Sequence, residues 1–341
     1  MSSKPEINSR ATSYDVARLA GVSQSAVSRC FKPGASISKK MRDKVVAAAE
    51  ELNYQPNAIA RSLISQRSHM VAILISSQIN FYYPEVLFQL SDRFSKNGLR
   101  VLLFTINGEE DVADAIDQIW QYQADGVISA SALSIEQHQL LQRRQIPVVM
   151  FNRYFYNLPT NTIWCDTESA VNEMISHLKD FGHSKFGLLR GPDYSMVSQE
   201  RMRLVRQAID THGGQIVSES EGNYRYESAA AATQELMQHR VKPTAIIAAN
   251  DMMAMGVLDE LKNVMGKSVP ADVSVVGFDG IWAASFASYE LTTVRQPIGR
   301  MAEAAVEMIV DRIEKPTTST EKRYLTGTFV QGTSTGPAKA K

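Results

Sequence analysis

Thiols are almost absent: the 341 residues include two cysteines, Cys30 and Cys165. They stand far apart, without metal-ligand spacing or a flanking activating motif, so a disulfide framework, a zinc cluster and a Cys165 nucleophile aided by His183 are set aside. Also missing are a Gly-rich phosphate loop, a metal-binding cluster and a nucleophile–base signature, so no catalytic residue, metal or cofactor is expected. No apolar run reaches bilayer length and no secretory leader opens the chain, which points to a soluble cytoplasmic protein with no membrane partner. Net charge is lacking too, at 36 Lys+Arg against 36 Asp+Glu. That balance conceals an asymmetry, because residues 1–69 hold 11 Lys+Arg against 5 Asp+Glu and residues 70–341 hold 25 against 31. A basic head of this kind is the electrostatic footprint of a module that meets a phosphate backbone.

What the head contains is a helix-turn-helix pattern. Val16, Leu19 and Ala20 share a helical face, the run breaks at Gly21, where a positive φ costs little, and Ser23 can cap a restart. In the second helix Ala26 and Val27 can pack inward. Ser23, Gln24, Ser25, Ser28 and Arg29, with Tyr14 from the first helix, then form the polar face that meets DNA, and Arg29 is the strongest reader, through guanine. A third helix capped by Ser38 carries Met41, Val45, Ala48, Ala49 and Leu52 at helical spacing and stops at Asn53. After Pro56, residues 58–64 could form less than two turns, too little to stand alone, with Asn57 as a cap. Leu63 there is either a linker leucine packed on a domain surface or a wedge for a minor-groove base step.

These residues together resemble the lactose-repressor/galactose-repressor family of bacterial transcription regulators, over nearly the whole chain. The resemblance implies that Gln24, Ser25 and Arg29 read a double-stranded operator and that Asn57, Ala60 and Leu63 belong to a hinge helix. It also implies a homodimer on a pseudo-palindrome, working on the bacterial nucleoid. The operator sequence does not carry over, since Gln24 and Ser25 occupy positions that vary between members.

Beyond the head, apolar runs at 71–75, 100–104, 126–128, 147–151, 185–189, 245–248 and 273–276 read as buried parallel strands. Amphipathic stretches at 84–97, 169–180, 200–212, 228–239, 252–263 and 298–313 alternate with them. The fold class is therefore a small all-α helix-turn-helix head plus an α/β core of doubly wound parallel sheets. By resemblance that core is two-lobed, like the periplasmic sugar-binding proteins, with crossings near Asp166, Gln296 and Tyr324. The expected division is a tail at 1–11, the helix-turn-helix at 12–56 and a hinge and linker at 57–69. One lobe then takes 70–165 and 297–324, the other 166–296 and 325–341.

Open α/β sheets bind ligands at the carboxyl ends of their strands. Residues at such ends are Ser76, Asn152, Arg153, Arg190, Asn250 and Asp279. Asp251 is read as the cap of the helix it opens, and Asn250 as the amide facing a ligand. Asp279 either accepts hydroxyl hydrogen bonds or caps the next loop; the family's usual second acid is Gly280 here, which disfavours ligands that need both carboxylates. Arg203 matches the family's effector arginine, while Arg201, two residues earlier, points nearly the opposite way on a helix. Several arginines round one cleft suit a carboxylate or phosphate, although pairing with Asp193 or Glu200 is the alternative. Tyr82, Tyr83 and Tyr224 either stack on a ligand ring or cap a lobe core.

The expected function is an effector-responsive DNA-binding regulator, a repressor, that senses a sugar, sugar acid or sugar phosphate. Alternatives are a purine or nucleoside effector, and a soluble carbohydrate-binding receptor with a vestigial head.

Overall fold

The structure is a computed structural model, and it describes residues 11–31, 35–55, 67–77, 80–107 and 109–339. The hinge positions Asn57, Ala60 and Leu63 lie outside the described residues. The chain forms two compact units, Met1–Ser68 and His69–Lys341. Among the described residues no helix is long and apolar enough to cross a membrane.

In the first unit α1 (Ser13–Ala20), α2 (Gln24–Cys30) and α3 (Lys39–Glu51) follow their caps. Thr12 Oγ1 accepts from Asp15 N at 3.3 Å and the Asp15 carboxylate accepts from Thr12 N at 3.0 Å, which satisfies two helix-end donors at once. Gly21 takes φ +64° and frees the chain to turn. Ser23 and Ser38 cap α2 and α3, and Asn53 leaves α3 at φ +48°. Val16, Ala17, Val27, Cys30, Val45, Ala48 and Ala49 make the core. Leu19, expected inside, is 46% exposed, and Ala17 takes the inward position. A helical step of about 100° per residue puts positions 16, 17 and 20 on one arc and swings 19 out of it.

The second unit carries β1 (Met70–Ser76), α4 (Tyr82–Lys96), β2 (Arg100–Ile106), α5 (Glu109–Gln121), β3 (Gly126–Ser129), α6 (Ile135–Arg143), β4 (Val148–Phe151) and β5 (Asn161–Asp166). It continues with α7 (Glu168–Asp180), β6 (Lys185–Arg190), α8 (Met196–Thr211), β7 (Gln215–Glu221), α9 (Tyr226–Gln238), β8 (Ala245–Ala248), α10 (Asp251–Asp259), β9 (Ser274–Asp279) and β10 (Thr292–Arg295). The chain ends in α11 (Ile298–Glu314), β11 (Lys322–Thr326) and β12 (Thr328–Val330).

Two six-stranded sheets result, in the orders β11-β5-β4-β3-β1-β2 and β12-β10-β9-β8-β6-β7. Every pairing is parallel except β10 with β12. Strands β1, β3, β4, β8 and β9 are buried nearly throughout, as helices on both faces require. Each sheet with its helices is a lobe, and the chain passes between the lobes after Asp166, near Gln296 and at Gly327. The third passage, expected near Tyr324, falls at Gly327, just past the end of β11, within which Tyr324 lies opposite Trp164. Gly327 N donates to Asp166 O at 2.7 Å, and a side chain at 327 would meet Arg295 O at 3.2 Å and Thr167 Cγ2 at 3.3 Å. The passages are therefore in mutual contact.

Candidate functional site

In the first unit α2 turns Gln24, Ser25, Ser28 and Arg29 outward while Ala26, Val27 and Cys30 face the core. Ser23 and Ser25 hydroxyls are 2.9 Å apart, Gln24 Nε2 donates to Ser13 Oγ at 3.3 Å, and Arg29 Nε donates to Ser25 O at 3.4 Å. Tyr14 is exposed beside them on α1. This face presents donors and acceptors on a rigid helix.

In the second unit the carboxyl ends of the strands open on a cavity of about 620 Å³, within the range of small-molecule sites. Of the expected residues, Ser76, Tyr82, Tyr83, Asn152, Arg153, Tyr224, Asn250 and Asp279 line it. Arg203 and Arg190 do not. Arg203 points to solvent, its side chain 56% exposed, and pairs bidentately with Glu200 at 2.8 Å and with Gln207 at 3.1 Å. Arg190 is held by Asp193 and, at 3.6 Å, by Glu219.

The buried arginine of the site is Arg201. Its side chain lies on the α8 face that also carries Leu204, Val205 and Ala208, all buried. Arg201 NH2 donates to Asp279 Oδ1 at 2.6 Å and NH1 to Ala249 O at 2.6 Å. Gln296 Nε2 donates to the same Asp279 oxygen at 2.8 Å, and its Oε1 accepts from Asn152 Nδ2 at 2.9 Å and from Tyr82 OH at 3.3 Å. Asn152 Oδ1 accepts in turn from Cys165 N at 3.3 Å. A continuous hydrogen-bonded chain thus links Arg201 and Asp279 of the second lobe, through Gln296, to Asn152 and Tyr82 of the first.

Asn250, not Asp251, caps α10: its Oδ1 accepts from Met253 N at 2.9 Å while its Nδ2 donates to Tyr224 O at 3.2 Å. Asp251 lies one step inside, fully buried, and accepts from Ile281 N at 2.9 Å and Thr293 Oγ1 at 2.6 Å. It ties the loop after β9 to α10, beneath the cavity floor.

Burial sets the protonation of these groups. It pushes the Asp251 carboxyl up to about 8, helped by the nearby Asp279 charge. Burial also raises Asp279, against the pull of Arg201 and Gln296, and raises Tyr82 and Tyr224. The Cys165 thiol is pushed up to about 12 by burial, which makes it inert as a nucleophile. Burial opposes the Arg201 charge, yet Asp279 more than restores it, so the guanidinium stays protonated.

Three lining residues hold left-handed backbone although none is glycine: Asn152 at φ +53°, Tyr224 at +60° and Asp279 at +115°. Such strain is kept where the surroundings over-determine it, commonly at binding sites. The Tyr224 ring rests against Gly191, where an added Cβ would stand 2.5 Å from the ring carbons.

Sequence reasoning missed Gln296 as a site residue and did not prefer Arg201. The charged residues of the lining are Arg153, Arg201, Arg225 and Asp279.

The same chain matches two family descriptions: "Bacterial regulatory proteins, lacI family" over residues 12–57 and "Periplasmic binding protein-like domain" over residues 175–335. The ribose operon repressor of Escherichia coli (strain K12) is 31% identical over 324 residues, covering 93% of this chain and 97% of that protein. The HTH-type transcriptional repressor PurR of Vibrio vulnificus is 30% identical over 309 residues, covering 89% and 92%. Among solved structures, a lac repressor dimer bound to operator and an anti-inducer superposes with a TM-score of 0.87 at 26% identity, over 96% of this chain and all of that one. A complex of the regulator CelR with cellobiose gives a TM-score of 0.72 at 26% identity over 95% of this chain and all of that one.

Proposed function

The chain belongs to the lacI family of bacterial regulatory proteins and is a transcriptional repressor, not an enzyme, and from that premise we propose that it binds its operator as a homodimer and is switched by a carbohydrate-class effector in the interlobe cavity. Such a protein works on the nucleoid. Gln24, Ser25, Ser28 and Arg29 would meet base edges, with Tyr14 and Ser23 on the adjoining backbone, and the hinge positions Asn57, Ala60 and Leu63 would meet the minor groove.

The observation that carries the effector reading is the Arg201–Asp279 pair beside Asn250 on the cavity wall. A buried guanidinium with two hydrogen bonds, a carboxylate with a second acceptor oxygen and a cap amide form a donor–acceptor set suited to the vicinal hydroxyls of a sugar. Relatives whose names concern ribose and cellobiose agree with that choice. Coupling to DNA requires the effector to bind the two lobe arrangements unequally.

The test is a thermal-shift screen of sugars, sugar acids, sugar phosphates and nucleobases, repeated on Arg201→Lys, since a cleft ligand stabilises by mass action. A stabilising ligand that binds Arg201→Lys equally well would refute the site. A purine or nucleoside is the second reading, favoured by the Tyr82, Tyr83 and Tyr224 rings on the wall and by the likeness to PurR; a nucleobase outperforming every sugar would establish it.

A further inference from the structure

Two cations of the cavity wall take no part in the buried network. Arg201 is matched by Asp279 at 2.6 Å, so its charge is cancelled within the protein. Arg153, just beyond β4 in the first lobe, donates Nε to Ala130 O at 3.3 Å. Arg225, the residue before α9 in the second lobe, is exposed and reaches the same cavity. Neither forms an ion pair among the described residues. Asn152, adjacent to Arg153, supplies an amide, and that amide is already committed to Gln296 and Cys165 N. The lining therefore holds three guanidinium groups against one carboxylate.

We infer that the effector is an anion, a sugar bearing a carboxylate or a phosphate, whose charged group lies between Arg153 and Arg225 while its hydroxyls meet Arg201, Asp279 and Asn250. This rests on the effector reading of the cavity given above. A neutral sugar would leave the two cations unmatched as the lobes close around it, in a space from which water is being displaced. An anion supplies the missing charge and accepts bidentate hydrogen bonds from both forks. Because the cations come from opposite lobes of one cavity wall, an anion bound between them would bridge the lobes and draw them together. Arg153 lines the same cavity as Tyr224 and Arg225 of the second lobe.

The test is calorimetry on the full chain with matched probes: ribose against ribose 5-phosphate, glucose against glucuronate, and inorganic phosphate as charge without sugar. The charged member of at least one pair should bind about tenfold or more tightly than its neutral parent, and its affinity should fall as salt is raised. Arg153→Gln and Arg225→Gln should each remove most of that margin by weakening the charged member more than the neutral one. Arg225 is exposed, so its variant stays informative if Arg153→Gln fails to fold. A neutral sugar that binds as well as its acid and its phosphate, and loses binding in Arg201→Lys, overturns the anion inference and leaves the cavity reading standing. A margin untouched by both glutamine variants, or inorganic phosphate binding as tightly as ribose 5-phosphate, overturns the assignment. Absence of Arg201-dependent binding by every probe overturns the cavity reading and this inference with it.

Discussion

Arg201 and Arg203 stand two positions apart on α8 and meet opposite surroundings. Arg201→Ala strands Asp279 in the interior, and breaking a buried pair in that way costs about 3 to 5 kcal/mol; Arg203→Ala removes an exposed pair with Glu200 and should stay within about 0.5 kcal/mol. Urea unfolding of the two variants should give that order, and the reverse order would show that the buried pair is not what holds the wall. The helical pattern already contained the answer: Arg201 is spaced 3, 4 and 7 residues from Leu204, Val205 and Ala208, whereas Arg203 is followed by Gln207. The buried face is the one that reaches the cavity because α8 begins at its rim and packs along the second sheet. Asp251 yields a pH prediction. Its folded value of about 8 lies above the ordinary 3.8, so the native state keeps a proton that the unfolded chain gives up. Stability from this group is complete below about pH 4 and is lost as pH rises toward 8. Asp251→Asn should flatten that decline, and urea midpoints at pH 5, 6.5 and 8 that fall equally in both proteins would remove Asp251 as its source.

Among elements, the short helices of the head were legible because their signals are local: caps at Ser23 and Ser38 and left-handed exits at Gly21 and Asn53. The exposed face of α2 leads to a prediction that Arg29→Ala loses about 1 to 3 kcal/mol of operator binding while salt-sensitive binding to random DNA persists. Equal losses on both DNAs in titrations at matched salt would deny Arg29 a base-reading role. The central strands were legible as unbroken apolar runs. Three others were not: β7 mixes exposed, half-buried and buried positions, β11 is largely exposed, and β5 buries Thr162 among its apolar residues. Tertiary pairing, rather than hydrophobicity, makes those segments strands. Helix α10 shows the same limit at finer grain, since both Asn250 and Asp251 are good caps and only the fold decides which side chain turns back on the helix.

At the scale of the whole molecule, residues 328–330 form an edge strand and the segment beyond runs along the second lobe, where Gly336 O accepts from His183 Nε2 at 3.0 Å and Ala338 N donates to Phe181 O at 2.7 Å. Light scattering at micromolar concentration should give a dimer, the assembly that places one reading helix on each half-site of an operator, and a tetramer would contradict it. The two-lobed plan was legible as alternation of strand and helix runs, whereas the composition of the cavity depended on which residues the passages between lobes bring together; Gln296 is conspicuous only once the chain is seen to cross there. Those passages carry a mechanical consequence. Three backbone passages that meet at Asp166, Arg295 and Gly327 resist sliding and separation of the lobes, so rotation about them as a single pin is the motion to expect. Leverage is then fixed by geometry: a displacement too small to disturb the pin becomes a large sweep at the far rim of each lobe. A branched side chain at 327 would jam the bearing itself, and Gly327→Val should hold the radius of gyration measured by solution scattering constant when effector is added.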